Sequence, residues 1–218
     1  MSETIQIMIS QGVDINTIYL ILSLPFIATL IVALRQVVGF ESFGIYTPLV
    51  LTFALWATGL KYGLAIFIVI LLTGTLVRYM LKNLRLMYLP KVAIILSAIS
   101  LAMLFMMTLG GFLNITGLSS VSILPLLIMI TLIEKFISAQ MEKGLKTATV
   151  LSIQTLIISI VGYYFINWDI FRYLVINYPE YILLLFVVNI FLGKWAGLRL
   201  SEYLRFKEII KSNESNQK

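Results

Sequence analysis

The sequence predicts an all-α fold: a polytopic membrane bundle of seven transmembrane helices, the second short and preceded by a Gly/Pro loop. Three observations carry this expectation. Hydrophobic residues make up 60% of the 218-residue chain and charged residues 12%, whereas a soluble domain is about 45–50% apolar. Apolar runs of about 20 residues recur, each long enough to cross a hydrocarbon core of about 30 Å at about 1.5 Å per residue. They are also too long and too closely spaced for the roughly 10-residue alternating strands of a membrane barrel.

Taken in order, the apolar segments run from about 17 to 38, 46 to 60, 62 to 82, 90 to 113, 120 to 140, 146 to 166 and 179 to 200. The first follows an acidic start with Glu3 and Asp14 and no Lys or Arg; a cleavable signal peptide wants a basic start and a shorter apolar stretch, so this is a retained helix. Residues 1–16 are expected to form a short extracytoplasmic N-terminus, 17–206 the seven-helix domain and 207–218, including "KSNESNQK", a disordered cytoplasmic tail. The second segment, about 22 Å long by helical rise, falls short of the core. Part of the polar stretch before it is therefore expected below the interface, where non-helical backbone needs surrounding protein or a water-filled cavity.

Basic residues orient the rest. Arg78, Lys82, Arg85 and Lys91 surround the third connection; Lys135, Lys143 and Lys146 surround the fifth; Lys194, Arg199, Arg205, Lys207, Lys211 and Lys218 lie at the C-terminal end. All thirteen are expected in the cytoplasm of a cell bounded by this (inner) membrane. Seven spans put the N-terminus outside, with Arg35 inside and Lys61 outside; six spans, with segment two dipping in and returning, put it inside. The charge count barely separates the two. Tyr163, Tyr164, Trp168, Tyr173, Tyr178 and Tyr181 around the sixth connection form an interfacial belt.

Composition also excludes chemistry. With no Cys and no His, the chain has no disulfide, thiol nucleophile, imidazole metal ligand or histidine acid–base group. No catalytic residue, cofactor site or metal site is expected. The net charge of +6 reflects membrane topology rather than nucleic acid, which is not an expected partner. No Ser-Lys pair or paired aspartates at useful depth suggest an intramembrane enzyme.

The stretch "RQVVGFESFGIYTPLV" interrupts the hydrocarbon between segments one and two. Gly39 and Gly44 permit positive φ, Pro48 suits a first helical turn, and Thr47 is placed to cap it. Arg35 and Glu41 are ionisable groups near membrane depth, which are costly there and tend to mark pathways or pairs, although helix-end charges also snorkel. The candidate functional loop is therefore Arg35, Gly39, Glu41, Gly44, Thr47 and Pro48. Glu134 and Lys135 read first as helix-end charges pairing with Arg78 or Lys82. Asn189 and Gln154 read as interhelical glue, and Gly193 with Gly197 as a weak close-approach pair.

A first helix ending at Arg35, then "GFESFGIYTPLVLTFAL", a turn bearing Gly59 and Gly63, and "LVRYMLKNLRLMYLPKV" leading into a helix from Pro90 together resemble the bacterial seven-transmembrane domain usually fused to an inactive transglutaminase-like domain. The stretch is also similar to the small membrane subunit of poly-gamma-glutamate synthesis and export. The resemblance spans about Leu20 to Phe206 and is densest from Arg35 to Lys91. It implies an N-out, seven-span topology and a setting beside transglutaminase-like, ATP-grasp ligase and protease proteins that make or process a peptide or amino-acid polymer. With sixteen residues before the first helix, a transglutaminase-like partner is expected on a separate chain. The function expected is a non-enzymatic membrane subunit that anchors or assists such a system. A small transporter or channel with its site at residues 39–48 is the alternative, because broken helices beside Gly and Pro build midplane sites.

Overall fold

The computed structural model describes residues 3–84, 87–112 and 123–194, and all regular structure among them is helical. In chain order these are α1 (Glu3–Ser10), α2 (Ile15–Ala33) running into a π-turn (Leu34–Val38), α3 (Tyr46–Thr58), α4 (Leu60–Met80) with a 3₁₀ turn (Leu81–Asn83), α5 (Tyr88–Phe112), α6 (Ile123–Ile166), α7 (Asp169–Asn177) and α8 (Tyr181–Lys194). Among the described residues four helices are long and apolar enough to cross a membrane: Ile15–Val38, Leu60–Met80, Tyr88–Phe112 and Ile123–Ile166. The fourth connection, the end of segment seven and the tail from 207 lie outside the described residues, as do Arg85 and the basic residues beyond Lys194.

The 44-residue α6 covers two expected segments because it folds back at Gly144, whose backbone (φ 84, ψ 166) is not helical. Packing against α3 and α4 proves the reversal. Thr47 is bonded to Lys135 and its neighbour Pro48 to Ser159, residues that a straight helix would hold about 36 Å apart. Likewise Gly74 lies against Ile133, while Phe67, Leu71 and Leu72 share a groove with Thr149, Ser152 and Leu156. Each half of α6 is just over 30 Å long, a full membrane crossing. Each of the seven expected segments is thus helical among the described residues, with the expected fifth connection reduced to one residue.

The chain divides into two compact units, Tyr46–Tyr163 and Met1–Ile45 with Tyr164–Lys218. In the first of these, Leu51 and Leu55 of α3, Ile66 and Ile70 of α4, Ile95 and Ile99 of α5 and Ile133, Phe136 and Ile137 of α6 are fully buried. Outward faces such as Leu101, Leu104 and Phe105 are just as apolar. Helices hydrophobic all round belong in lipid, and packing there depends on close fit and hydroxyl bonds more than on hiding oil from water. Gly162 shows the fit: a Cβ on it would lie 2.7 Å from Thr52 Oγ1. Thr52 and Ser159 both donate to the Pro48 carbonyl, at 2.8 and 3.0 Å.

In the other unit, α2 and α8 are joined by Asn189 Nδ2, which donates to Thr29 Oγ1 at 2.8 Å; this is the interhelical amide expected from sequence. Gly193 faces open space, and Gly197 lies outside the described residues. The sixth connection is not a plain loop, since α7 occupies it and meets α8 at a bend of 110°. Phe171 of α7 packs on Phe165 and Phe26 at 4.4 and 5.4 Å between ring centroids. Tyr19 donates its hydroxyl to the Ile166 carbonyl, and Arg172 lies over the Tyr19 ring while bonding Asn16 at 3.1 Å. An amphipathic helix docked through Phe171 and Val175 thus lies within the connection that the aromatic belt surrounds. In the N-terminal stretch, Glu3–Ser10 is helical with Ile5 buried.

Candidate functional site

The interruption begins before its first glycine. Leu34–Val38 widens into a π-turn, and the Gly39 and Phe40 N–H groups both donate to the Leu34 carbonyl, at 3.2 and 3.4 Å. Gly39 then takes the left-handed conformation (φ 89, ψ 24) that ends the helix, as glycine does without a Cβ penalty. A tight turn follows, with Gly44 at φ 78 and the Ser42 hydroxyl bonded to the Gly44 carbonyl at 2.8 Å. Single π-turns inside α-helices occur frequently at functional sites.

This geometry gathers Arg35, Gln36 and Glu41 around one open pocket of about 300 Å³, walled by Val32, Phe40 and Ile45. Arg35 and Gln36 are half-buried and Glu41 is exposed. The Gln36 Oε1 is buried with no hydrogen-bond partner among the described residues. Gln36 was missed in the sequence, because an amide next to a helix end carries no signal of its own. The extra residue in the π-turn sets which way its side chain faces.

The other loop residues have different surroundings. Helix α3 begins at Tyr46, so Thr47 sits inside the first turn instead of capping it. Its hydroxyl accepts from Lys135 Nζ at 3.1 Å, beside a small pocket of about 100 Å³ lined also by Tyr46, Val50, Ile128, Thr131 and Leu132. Lys135 thus has Thr47 as its partner, while Arg78 Nη2 donates to the Gln140 carbonyl at 3.0 Å. The Pro48 carbonyl receives the Ser159 hydroxyl, which ties α3 to α6, and the Thr52 hydroxyl from its own helix. Since Pro48 meets Ser159, α3 starts about 22 Å along α6 from the Gly144 turn. With only 13 residues, about 20 Å, it is a helix shorter than a hydrocarbon core of about 30 Å.

Among the described residues no group of three or more acidic, His or Cys side chains could hold a metal ion. Chemically the pocket offers one cation, one carboxylate and one amide, which can bind and orient a polar ligand.

Comparisons with known proteins agree with this architecture. Neither a protein of curated function nor a solved structure matches the chain significantly. Residues 6–210 match the family model described as seven transmembrane helices usually fused to an inactive transglutaminase, a match that takes in every described helix from α2 to α8. The chain belongs to this family of seven-helix integral membrane domains.

Proposed function

We propose that this chain is a non-enzymatic subunit of the cytoplasmic membrane that anchors or assists an envelope-facing system processing or exporting a peptide or amino-acid polymer. The observation that carries the reading is the pocket of Arg35, Gln36 and Glu41. A carboxylate suits Arg35, an ammonium suits Glu41, and an amide N–H would satisfy the buried Gln36 oxygen. Peptides carry all three groups. The family's usual fusion to an inactive transglutaminase supports a neighbour of that kind, and ATP-grasp ligase and protease proteins are further candidate neighbours.

A photo-crosslinking residue at Ser42 tests this in cells. Adducts with a transglutaminase-like, ATP-grasp or protease protein, lost in the Glu41→Gln variant, are expected. The second reading, a small transporter or channel at the same loop, is favoured by the shortness of α3. Solute uptake by the purified protein in vesicles, with no adduct in cells, would establish it instead.

The proposed orientation has the N-terminus outside and the C-terminus in the cytoplasm. The chain has no cysteine, so Ser2→Cys gives a single label. Labelling in intact cells is expected; labelling only after permeabilisation would reverse the N-terminal half.

A further inference from the structure

The second pocket lies at the Gly144 end of α6. It holds about 390 Å³ between α4, α5 and the helix reversal, and its lining includes Arg78, Lys82, Lys91, Gln140 and Tyr79. Among the described residues none that lines it is acidic. Arg78 has an evident structural duty, since its bond to the Gln140 carbonyl closes the end of the first half of α6, where unpaired carbonyls and the helix dipole favour a cation. That duty uses one of five guanidinium donors and leaves Lys82 and Lys91 unexplained.

Gln140 supplies an independent observation. It is 3% exposed, it lines the pocket, and its Oε1 has no hydrogen-bond partner among the described residues. An amide oxygen buried without a donor is destabilising. The pocket therefore combines positive charge for an anion with an acceptor awaiting a hydroxyl or N–H group. Its volume equals that of about a dozen waters, far more than one phosphate ion needs. It opens at helix ends beside the exposed Tyr79 and Leu145, the level at which headgroups lie and interfacial aromatics sit.

We propose that this pocket binds the headgroup of an anionic glycerophospholipid, a phosphodiester bearing a free hydroxyl. Arg78, Lys82 and Lys91 take the phosphate, and Gln140 Oε1 accepts the headgroup hydroxyl. The acyl chains leave past Tyr79 and Leu145 into the bilayer. Basic pockets between membrane helices suit such headgroups, each cation near the surface contributing about 1 kcal/mol.

Native mass spectrometry of the full-length protein in detergent tests the assignment with phosphatidylglycerol, phosphatidic acid, phosphatidylcholine and inorganic phosphate. Retention of phosphatidylglycerol about a hundredfold above phosphatidylcholine is expected from three cations, and Lys82→Gln with Lys91→Gln should reduce that preference about tenfold or more, leaving the share due to Arg78. Gln140→Leu should bring phosphatidylglycerol down to the level of phosphatidic acid, which lacks the headgroup hydroxyl. Equal retention of the charged and zwitterionic lipids, or a preference unmoved by the lysine changes, overturns the site. Inorganic phosphate displacing the lipid at equal concentration reassigns it to a soluble anion. If Gln140→Leu fails to fold, the lysine double variant decides the matter, because both lysines lie at helix ends.

Discussion

At residues 39–45 the chain leaves α2 through a π-turn and needs seven residues and two glycines before α3 begins, whereas at Gly144 it reverses on a single residue. Each break leaves helix-end carbonyls to be satisfied, and the two do so differently. The first uses its own backbone, through Gly39 and Phe40 onto Leu34. The second borrows Arg78 from another helix. Both breaks leave a buried glutamine oxygen at their edge, Gln36 and Gln140, with no hydrogen-bond partner among the described residues. What surrounds each amide distinguishes the two sites: opposite charges at Gln36, cations alone at Gln140. Each helix break thus leaves a polar niche, and the two niches differ in the charges that flank them.

The comparison is broken most severely by removing the seat of α3. Gly162→Leu would drive a side chain into Thr52, whose Oγ1 already lies 2.7 Å from the position of a Cβ. A loss of about 3 kcal/mol is expected from overpacking, read as a lower Tm in detergent and lower abundance in membranes. Next comes the single-residue reversal. Gly144→Ala has open space around its Cβ, so its cost of about 2 kcal/mol is backbone strain in a region almost confined to glycine. Gly39→Ala, in the more accessible left-handed region, should cost about 1 kcal/mol. Equal effects of these two in parallel thermal melts would mean that the two breaks do not differ as described.

Smaller effects sharpen the contrast. Gln36→Leu and Gln140→Leu each remove a buried oxygen that has no partner among the described residues, so in lipid-free detergent each should be neutral or stabilising by up to about 1 kcal/mol. Added phosphatidylglycerol should raise the Tm of the Gln36 variant more than that of the Gln140 variant, which keeps the three cations but loses the acceptor for the headgroup hydroxyl. Glu41→Gln, at an exposed position, should alter stability by less than about 0.5 kcal/mol. Its effect belongs in the crosslinking readout.

Much of this was legible in the residues. Apolar length and spacing located every described span, and the polar run 39–48 marked the first break, because such residues are rare in lipid without a reason. "QMEKGLK" marked the second only as a short connection. Its Gly144 reads in sequence as an ordinary loop residue, and its role emerges only when both halves of α6 are seen against α4. Helix α7 was hidden in the aromatic belt because its nine residues are too short and too polar to announce a span. Lys135 illustrates the same limit. Sequence distance pointed to charges at a helix end, while the packing of α3 puts Thr47 within its reach.

The sequence by itself determined that the chain is helical and membrane-embedded, and roughly where its long apolar helices lie, since these depend on local hydrophobicity and on backbone bonds made within each segment. Only the tertiary structure decided which polar groups meet. Arg78 with Gln140, Lys135 with Thr47 and Asn189 with Thr29 are far apart in the chain. In helices that are apolar on every face, no hydrophobic pattern says which side turns inward; close packing and unpaired hydrogen-bonding groups make that choice.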